Sequence, residues 1–258
     1  MAGRLLACLL SAVLALAQTA DQAFQRGVKL FAEGRLDAAM ASFREAVRAK
    51  PDHAPAWKGI GVLLASQGDV EGAETPFRNA CEIQPALADA CLYYGRTLYL
   101  LNRFPQAAEI LRGVVRREPR SGEAYRLLGL SLEGMGDTAA AGDAFRQALR
   151  GIPSNAANED PGIDYGVFLF RQGRAEESVE PLREALKRHP AAARAYLELG
   201  CVQLSLDRVS EAAASLERSV ALDEGNARAH LLLGKAYLRL GKNEAAEVQL
   251  RQGSRTVR

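Results

Sequence analysis

Glycine recurs at Gly27, Gly61, Gly95, Gly129, Gly166, Gly200 and Gly234, with spacings of 34, 34, 34, 37, 34 and 34 residues. A fixed period in this range marks a chain made by stacking one small supersecondary unit, so the fold is a repeat of that unit. The residue four before the glycine is Trp57, Cys91, Tyr125, Tyr196 or His230, and the one directly before it is Ile60, Tyr94, Leu128, Tyr165, Leu199 or Leu233. Three residues after it stand Leu30, Leu64, Leu98, Leu132, Leu169 and Tyr237. Offsets of three and four put these side chains on one face of a helix. Seven residues beyond each glycine come Gly34, Gly68, Asn102, Gly136, Gly173, Asp207 and Gly241, the residue types that tolerate the left-handed conformation ending a helix.

A second stripe follows at twelve, sixteen and nineteen residues past the glycine. It reads Ala39-Phe43-Ala46, Ala73-Phe77-Ala80, Ala107-Leu111-Val114, Ala141-Phe145-Ala148, Ser178-Leu182-Ala185, Ala212-Leu216-Ser219 and Ala246-Leu250-Gly253. This is one face of a second helix. Pro51, Pro85, Pro119, Pro153 and Pro190 close five of the units, where proline ends a helix and stiffens the next turn. Glycine on the first helix and alanine on the second let the two backbones approach, and Phe77 or Leu111 fills the space beside them. One hairpin is too small to be stable alone, so stability comes from stacking on its neighbours. The expectation is an all-α chain of antiparallel helix-turn-helix hairpins stacked into a quasi-linear solenoid.

The period, with Trp57-Lys58-Gly59-Ile60-Gly61-Val62-Leu63-Leu64 followed by Ala73, Phe77 and Pro85, resembles the tetratricopeptide repeat. The resemblance covers residues 20 to 253, in about seven repeats near 20–53, 54–87, 88–121, 122–155, 159–192, 193–226 and 227–253. It implies that the all-α solenoid of hairpins is wound into a right-handed superhelix, and it is specific for fold and unspecific for function. Residues 155–158 accompany a three-residue insertion, Gly162 replaces the usual bulky residue, and Glu224 replaces the closing proline. The fourth junction is therefore the expected bend or hinge. Pro76 and Pro181 share one offset inside second helices, which suggests an accommodated local distortion that a functional kink and neutral tolerance fit equally.

Residues 1–17 stand apart from the repeats. Arg4 is followed by an apolar run from Leu5 to Ala17 that ends in Ala15-Leu16-Ala17, the pattern of a secretory signal peptide. Thirteen helical residues reach only about 20 Å, short of the roughly 30 Å hydrocarbon core. Cleavage after Ala17 would leave 18–258 as a single repeat domain in the periplasm or outside the cell; an uncleaved segment tethering the chain to a membrane is the alternative. Beyond the leader the chain keeps Cys81, Cys91 and Cys201. Cys81 and Cys91 could approach across a helix–helix junction, but each occupies a small apolar slot, and buried free thiols are the expectation.

No chemistry of catalysis is legible. His53, His189 and His230 lie in different repeats without ligands at metal spacing, and His230 fills a slot used elsewhere by Trp57 and Tyr125, as a packed imidazole would. Gly59 and Gly61 lie in mid-helix with no preceding strand, so they cradle no phosphate. No cofactor or metal is expected, and no enzymatic activity. With 33 basic and 31 acidic residues the formal charge is +2, which provides no general field for nucleic acid or an anionic membrane. Electrostatic recognition must be local.

The resemblance implies a concave binding surface on the first helices. Three before, one after and four after the glycines, that face carries Phe24, Val28 and Phe31, then Lys58 and Val62, then Leu92, Arg96 and Tyr99, then Arg126 and Leu130, and Lys235 in the last repeat. It is an apolar groove interrupted by cations, suited to a protein or peptide partner that brings apolar anchors and an acidic or carboxylate group. Some members of the family clamp a terminal carboxylate with a lysine and an asparagine one turn later; here Lys58 is followed by Val62, so that clamp is not reproduced. The last repeat has no further helix over its apolar flank, which allows self-association there. The function expected is a non-enzymatic, exported scaffold or adaptor. The alternative is a regulatory or substrate-recruiting subunit of an envelope or secreted enzyme complex.

Overall fold

The computed structural model describes residues 18–151 and 159–255, and every regular element among them is a helix. The expected leader (1–17) and residues 155–158 of the insertion lie outside the described residues. Helix α1 covers residues 18–32. It is followed by α2 (Leu36–Ala49), α3 (Ala54–Ser66), α4 (Val70–Ile83), α5 (Ala88–Leu100), α6 (Phe104–Arg117), α7 (Gly122–Gly134) and α8 (Thr138–Arg150). Then come α9 (Pro161–Arg171), α10 (Ala175–Arg188), α11 (Ala193–Ser205), α12 (Val209–Leu222), α13 (Ala227–Arg239) and α14 (Asn243–Arg255). Odd helices are the first of each hairpin and even helices the second.

The recurring glycine has one cause throughout. A Cβ placed on Gly27, Gly61, Gly95, Gly129, Gly166, Gly200 or Gly234 would lie 2.6 to 2.9 Å from the side chain of Phe43, Phe77, Leu111, Phe145, Leu182, Leu216 or Leu250, respectively. The side chain sixteen residues on therefore occupies the space that glycine leaves. Around that contact the alanines of the second stripe are fully buried, and Phe77, Leu111, Phe145, Leu182 and Leu216 are at most 2% exposed. These interiors are close-packed, with no room for one more methyl group.

The turns within hairpins also repeat. Gly34, Gly68, Gly136, Gly173 and Gly241 have φ between 73° and 82°, while Asn102 and Asp207 reach 58° and 61°. Asn102 and Asp207 need the one backbone region that other L-residues avoid and their short polar side chains tolerate. The following amide closes each helix: Asp69 N donates to Leu64 O at 3.0 Å, Arg103 N to Leu98 O at 2.8 Å and Arg174 N to Leu169 O at 3.0 Å. This paired closure satisfies carbonyls that a helix end would otherwise leave bare. Between hairpins, Lys50, Gln84, Glu118 and His189 are extended, with φ from −141° to −123°, as the residue before a proline must be. Asp223 adopts the same shape (φ −145°) ahead of Glu224, so proline reinforces this turn without being required for it. Pro76 and Pro181 sit inside α4 and α10, and both helices continue through them.

The chain divides into two compact units. The first comprises the residues up to Pro119 with Ser131–Asp137; the second comprises Arg120–Leu130 with Thr138–Arg258. In the first, hairpins stack through α2 on α3 and α4 on α5; in the second, through α8 on α9, α10 on α11 and α12 on α13.

The expectation of free thiols at Cys81 and Cys91 is corrected: the two form a disulfide, with Cα atoms 4.7 Å apart. The short connection 84–87 folds α5 back against the end of α4, bringing two small buried side chains within bonding range. Cys201 is free.

Candidate functional site

In the first unit, α3, α4 and α5 enclose a cleft of about 220 Å³. Helix α3 contributes Val62 and Ala65, α4 contributes Val70 and Phe77, and α5 contributes Tyr93, Arg96, Thr97 and Leu100. Phe77 forms part of the lining because its ring already lies against Gly61. Tyr93 stacks on it, with ring centroids 5.2 Å apart and planes 22° apart. Tyr93 and Leu100 are 37% and 52% exposed, so the cleft opens to solvent between apolar edges. Its chemistry is that of a socket for an apolar side chain, with Arg96 as its one charged member.

The structure brings Val62 and Arg96 of the expected groove together at this cleft. Val28 and Phe31 on α1 are exposed, at 42% and 38%. Phe24 is half-buried against Phe43 and His53, at ring distances of 5.8 and 5.1 Å, so its ring holds α1 onto its neighbours. Leu92 is half-buried, and Tyr99 packs on Phe104 at 5.9 Å. Lys58 is bound within the chain: its Nζ donates to Asp89 Oδ2 at 2.6 Å, linking α3 to α5. Val70, Phe77, Tyr93 and Leu100 were outside the expected set because they come from a second helix or from offsets beside the chosen stripe.

Arg126, Leu130 and Lys235 belong to the second unit. Leu130 is half-buried and Lys235 exposed. Arg126 is not a groove cation: only 5% exposed, it donates to Asp164 at 2.8 Å and Glu159 at 3.1 Å, across the insertion that follows α8. Asp164 also accepts from Arg194 at 2.5 Å, so one buried carboxylate ties α7, α9 and α11 together. Next to it Asp160 caps α9 through the Gly162 amide (2.7 Å) and accepts two bonds from Arg188, at 2.8 and 2.9 Å. Burial pushes the Asp160 carboxyl up, but the Arg188 guanidinium and the Gly162 N–H outweigh it and hold it below the usual carboxylate range. The expected bend at this junction is thus bridged on its described sides by ion pairs. Removing one member of such a buried set strands the others, which makes it a structural element.

Two of the histidines, His53 and His230, are structural as well. His53 accepts the Ala56 amide on Nδ1 and faces Asp21 with Nε2, both at 3.0 Å, so it caps α3 and ties it to α1. His230 is buried between Gln249 and the Glu224 carbonyl, at 2.6 and 3.0 Å. Among the described residues no three His, Cys, Asp or Glu side chains are grouped as a metal ion would require. In the last hairpin Leu238 and Val248 are exposed, at 50% and 53%.

Stacked helical hairpins, each with a phenylalanine or leucine seated on its glycine, and an apolar cleft define a helical-repeat protein of the kind that generally mediates protein–protein contact. The chain belongs to the tetratricopeptide-repeat family. Residues 125–257 match the family described as "Cilia and flagella-associated protein 70 middle TPR-like domain", and residues 24–88 match "Tetratricopeptide repeat". The mouse BBSome complex member BBS4 is 23% identical over 162 residues, 63% of this chain and 31% of that protein. The type IV pilus assembly protein PilF of Pseudomonas aeruginosa is 28% identical over 137 residues, 52% of this chain and 53% of that protein. The chain therefore spans between about a third and a half of the length of these relatives. Among solved structures, a tetratricopeptide repeat protein from Parabacteroides merdae superposes with a TM-score of 0.70 at 17% identity, over 93% of both chains. The structure of Pseudomonas aeruginosa PilF does so at 0.66 and 19% identity, over 83% of this chain and 96% of the other. At these identities the superpositions establish the fold alone.

Proposed function

We propose that this chain is an exported, non-enzymatic scaffold that holds a peptide segment or partner protein on its first-helix face, with the α3–α4–α5 cleft as the principal anchor site. The observation that carries this reading is the cleft itself, lined by Val62, Phe77, Tyr93 and Leu100 and open to solvent. Val28 and Phe31 extend the apolar surface on α1. A partner gains affinity there by burying a large apolar side chain, worth about 1.5–3 kcal/mol when fully enclosed. Acidic groups on the partner are secondary, because Lys58 already holds Asp89 and Arg126 holds Asp164.

The Cys81–Cys91 disulfide supports export, since cytosolic thiols are kept reduced and disulfides persist mainly in oxidising compartments. The leader-like pattern of residues 1–17 points the same way. The test is affinity capture from the exported fraction with the parent chain and with Val62→Trp, which fills the cleft from a half-exposed position. Loss of one or more captured proteins, with the circular dichroism spectrum kept, is the expected result. An identical set of captured proteins would sink the cleft reading.

A further inference from the structure

The outward side of the second helices carries a pattern that the groove does not use. Seventeen residues beyond the first-helix glycines stand Arg44, Arg78, Arg112, Arg146, Arg183 and Arg251, with Glu217 in the sixth repeat. The residue just before each is the one locked against the glycine. One further step turns a helix by about 100°, so the arginine is carried away from the packed face. Arg48 and Arg116 lie four residues beyond Arg44 and Arg112 and share their side of the helix.

The two units treat most of these cations differently, although Arg150 of α8, at the offset of Arg48 and Arg116, is exposed and makes no ion pair among the described residues. In the second unit Arg146 pairs with Asp143, Arg183 with Glu211, Lys187 with Glu184 and Arg251 with Glu247. In the first unit, Arg26, Lys58 and Arg103 are paired with Glu45, Asp89 and Glu74. Yet Arg44, Arg48, Arg78, Arg112, Arg116 and Arg117 of its second helices make no ion pair among the described residues, and all but Arg78 are exposed. Glu71, Glu82 and Glu109 are the carboxylates of α4 and α6 left to oppose them, and Glu71 lies in the first turn of α4, at the end of the helix away from the cations. Over Gly113 a Cβ would lie 3.6 Å from Arg117 Nη2 and 3.9 Å from Arg116 Nη2, so two guanidinium groups flank one spot. Cations in the last turn complement the helix dipole, but Arg44, Arg78 and Arg112 are each the ninth residue of a fourteen-residue helix, beyond its reach.

We propose that this band on α2, α4 and α6 docks the first unit peripherally onto an anionic phospholipid surface. The inference goes beyond the scaffold reading and does not depend on it. A specific protein interface needs a desolvated apolar core, and among the described residues of α2, α4 and α6 Ile83, at the end of α4, is the one exposed large apolar side chain. Separately spaced arginines, all but Arg78 exposed, instead match a fluid layer of headgroups, where each planar fork takes phosphate oxygens in whatever geometry it meets. The chain as a whole carries only +2, so the attraction is confined to this band and is screened by salt.

The test is co-sedimentation of the full chain with phosphatidylcholine vesicles and with vesicles that also contain phosphatidylglycerol, comparing the parent with R112Q/R116Q/R117Q. Any contribution of the apolar residues 1–17 is shared by parent and variant. Each arginine at an anionic bilayer raises partitioning about fivefold, so the triple variant should lose on the order of a hundred-fold of the phosphatidylglycerol-dependent partition coefficient. R183Q/R251Q, which removes paired cations from the second unit, should stay within about twofold of the parent, because exposed pairs carry little net field. Equal partitioning of the parent onto both vesicles, or a triple variant that matches the parent, overturns the proposal. Loss of an acidic protein partner in the triple variant without any phosphatidylglycerol dependence also overturns it and assigns the band to that partner.

Discussion

Replacing glycine by alanine should change stability in opposite directions at two helical positions of the first unit. In α3, the new Cβ of Gly61→Ala would lie 2.6, 2.7 and 2.9 Å from three carbons of the Phe77 ring. That ring is 2% exposed and stacked on Tyr93, so it can yield only toward the cleft it lines, at the expense of that stacking. Overpacking of this kind costs about 1–3 kcal/mol, and contact with three ring atoms at once puts the cost near the upper end. Alanine recovers about 1 kcal/mol of helix propensity, leaving a net loss of about 2 kcal/mol. In α6, the Cβ of Gly113→Ala meets nothing nearer than the Arg117 guanidinium at 3.6 Å, so the propensity term stands alone and the variant gains about 0.5–1 kcal/mol. The assay is urea unfolding followed by circular dichroism. Repeat arrays need not unfold in one step, so the transition midpoints of parent and variants are compared under one protocol. Gly61→Ala as stabilising as Gly113→Ala would refute the claim that the period exists to seat the large side chain sixteen residues on.

Removing the disulfide with Cys81→Ala and Cys91→Ala together opens a ring spanning a sequence separation of 10 and should destabilise the first unit by about 3 kcal/mol; an unshifted urea midpoint would contradict this. Asp160 has a folded-state pKa held below the ordinary carboxylate value, so its stabilising contribution is present above about pH 3.9 and is lost as pH falls through the folded value. Acid unfolding of the second unit, followed by hydrogen exchange in α9 and α10, should therefore lose part of its pH dependence in Asp160→Asn, and an unchanged acid profile would rule out Asp160 as a contributor.

How much of this protein is legible in its residues depends on the reach of each interaction. The lock between Gly61 and Phe77, the turn at Asn102 and the extended Gln84 before Pro85 lie within one hairpin or one turn, so they recur at fixed offsets and could be read directly. The cleft was legible only in part. Val62 and Arg96 fall on the first-helix stripe, but Phe77 belongs to the packed face of α4, and only the stacking of α5 shows that its ring also borders an opening. Arg126 looked like a groove cation because its offset matches that of Lys58. Its partner Asp164 lies 38 residues away beyond the insertion, and no periodic rule connects them.

The sequence by itself therefore determined the unit of construction, a helical hairpin of fixed length closed by a left-handed turn, because helix geometry converts residue spacing directly into a face. Tertiary structure decided which cysteines bond, which cations are neutralised and where the surface opens. Those outcomes depend on the distance and angle between neighbouring hairpins, set by the summed packing of many side chains. The arginines show the division most clearly: their period is plain in the residues, but whether each one faces a carboxylate or bare solvent is settled only where helices meet.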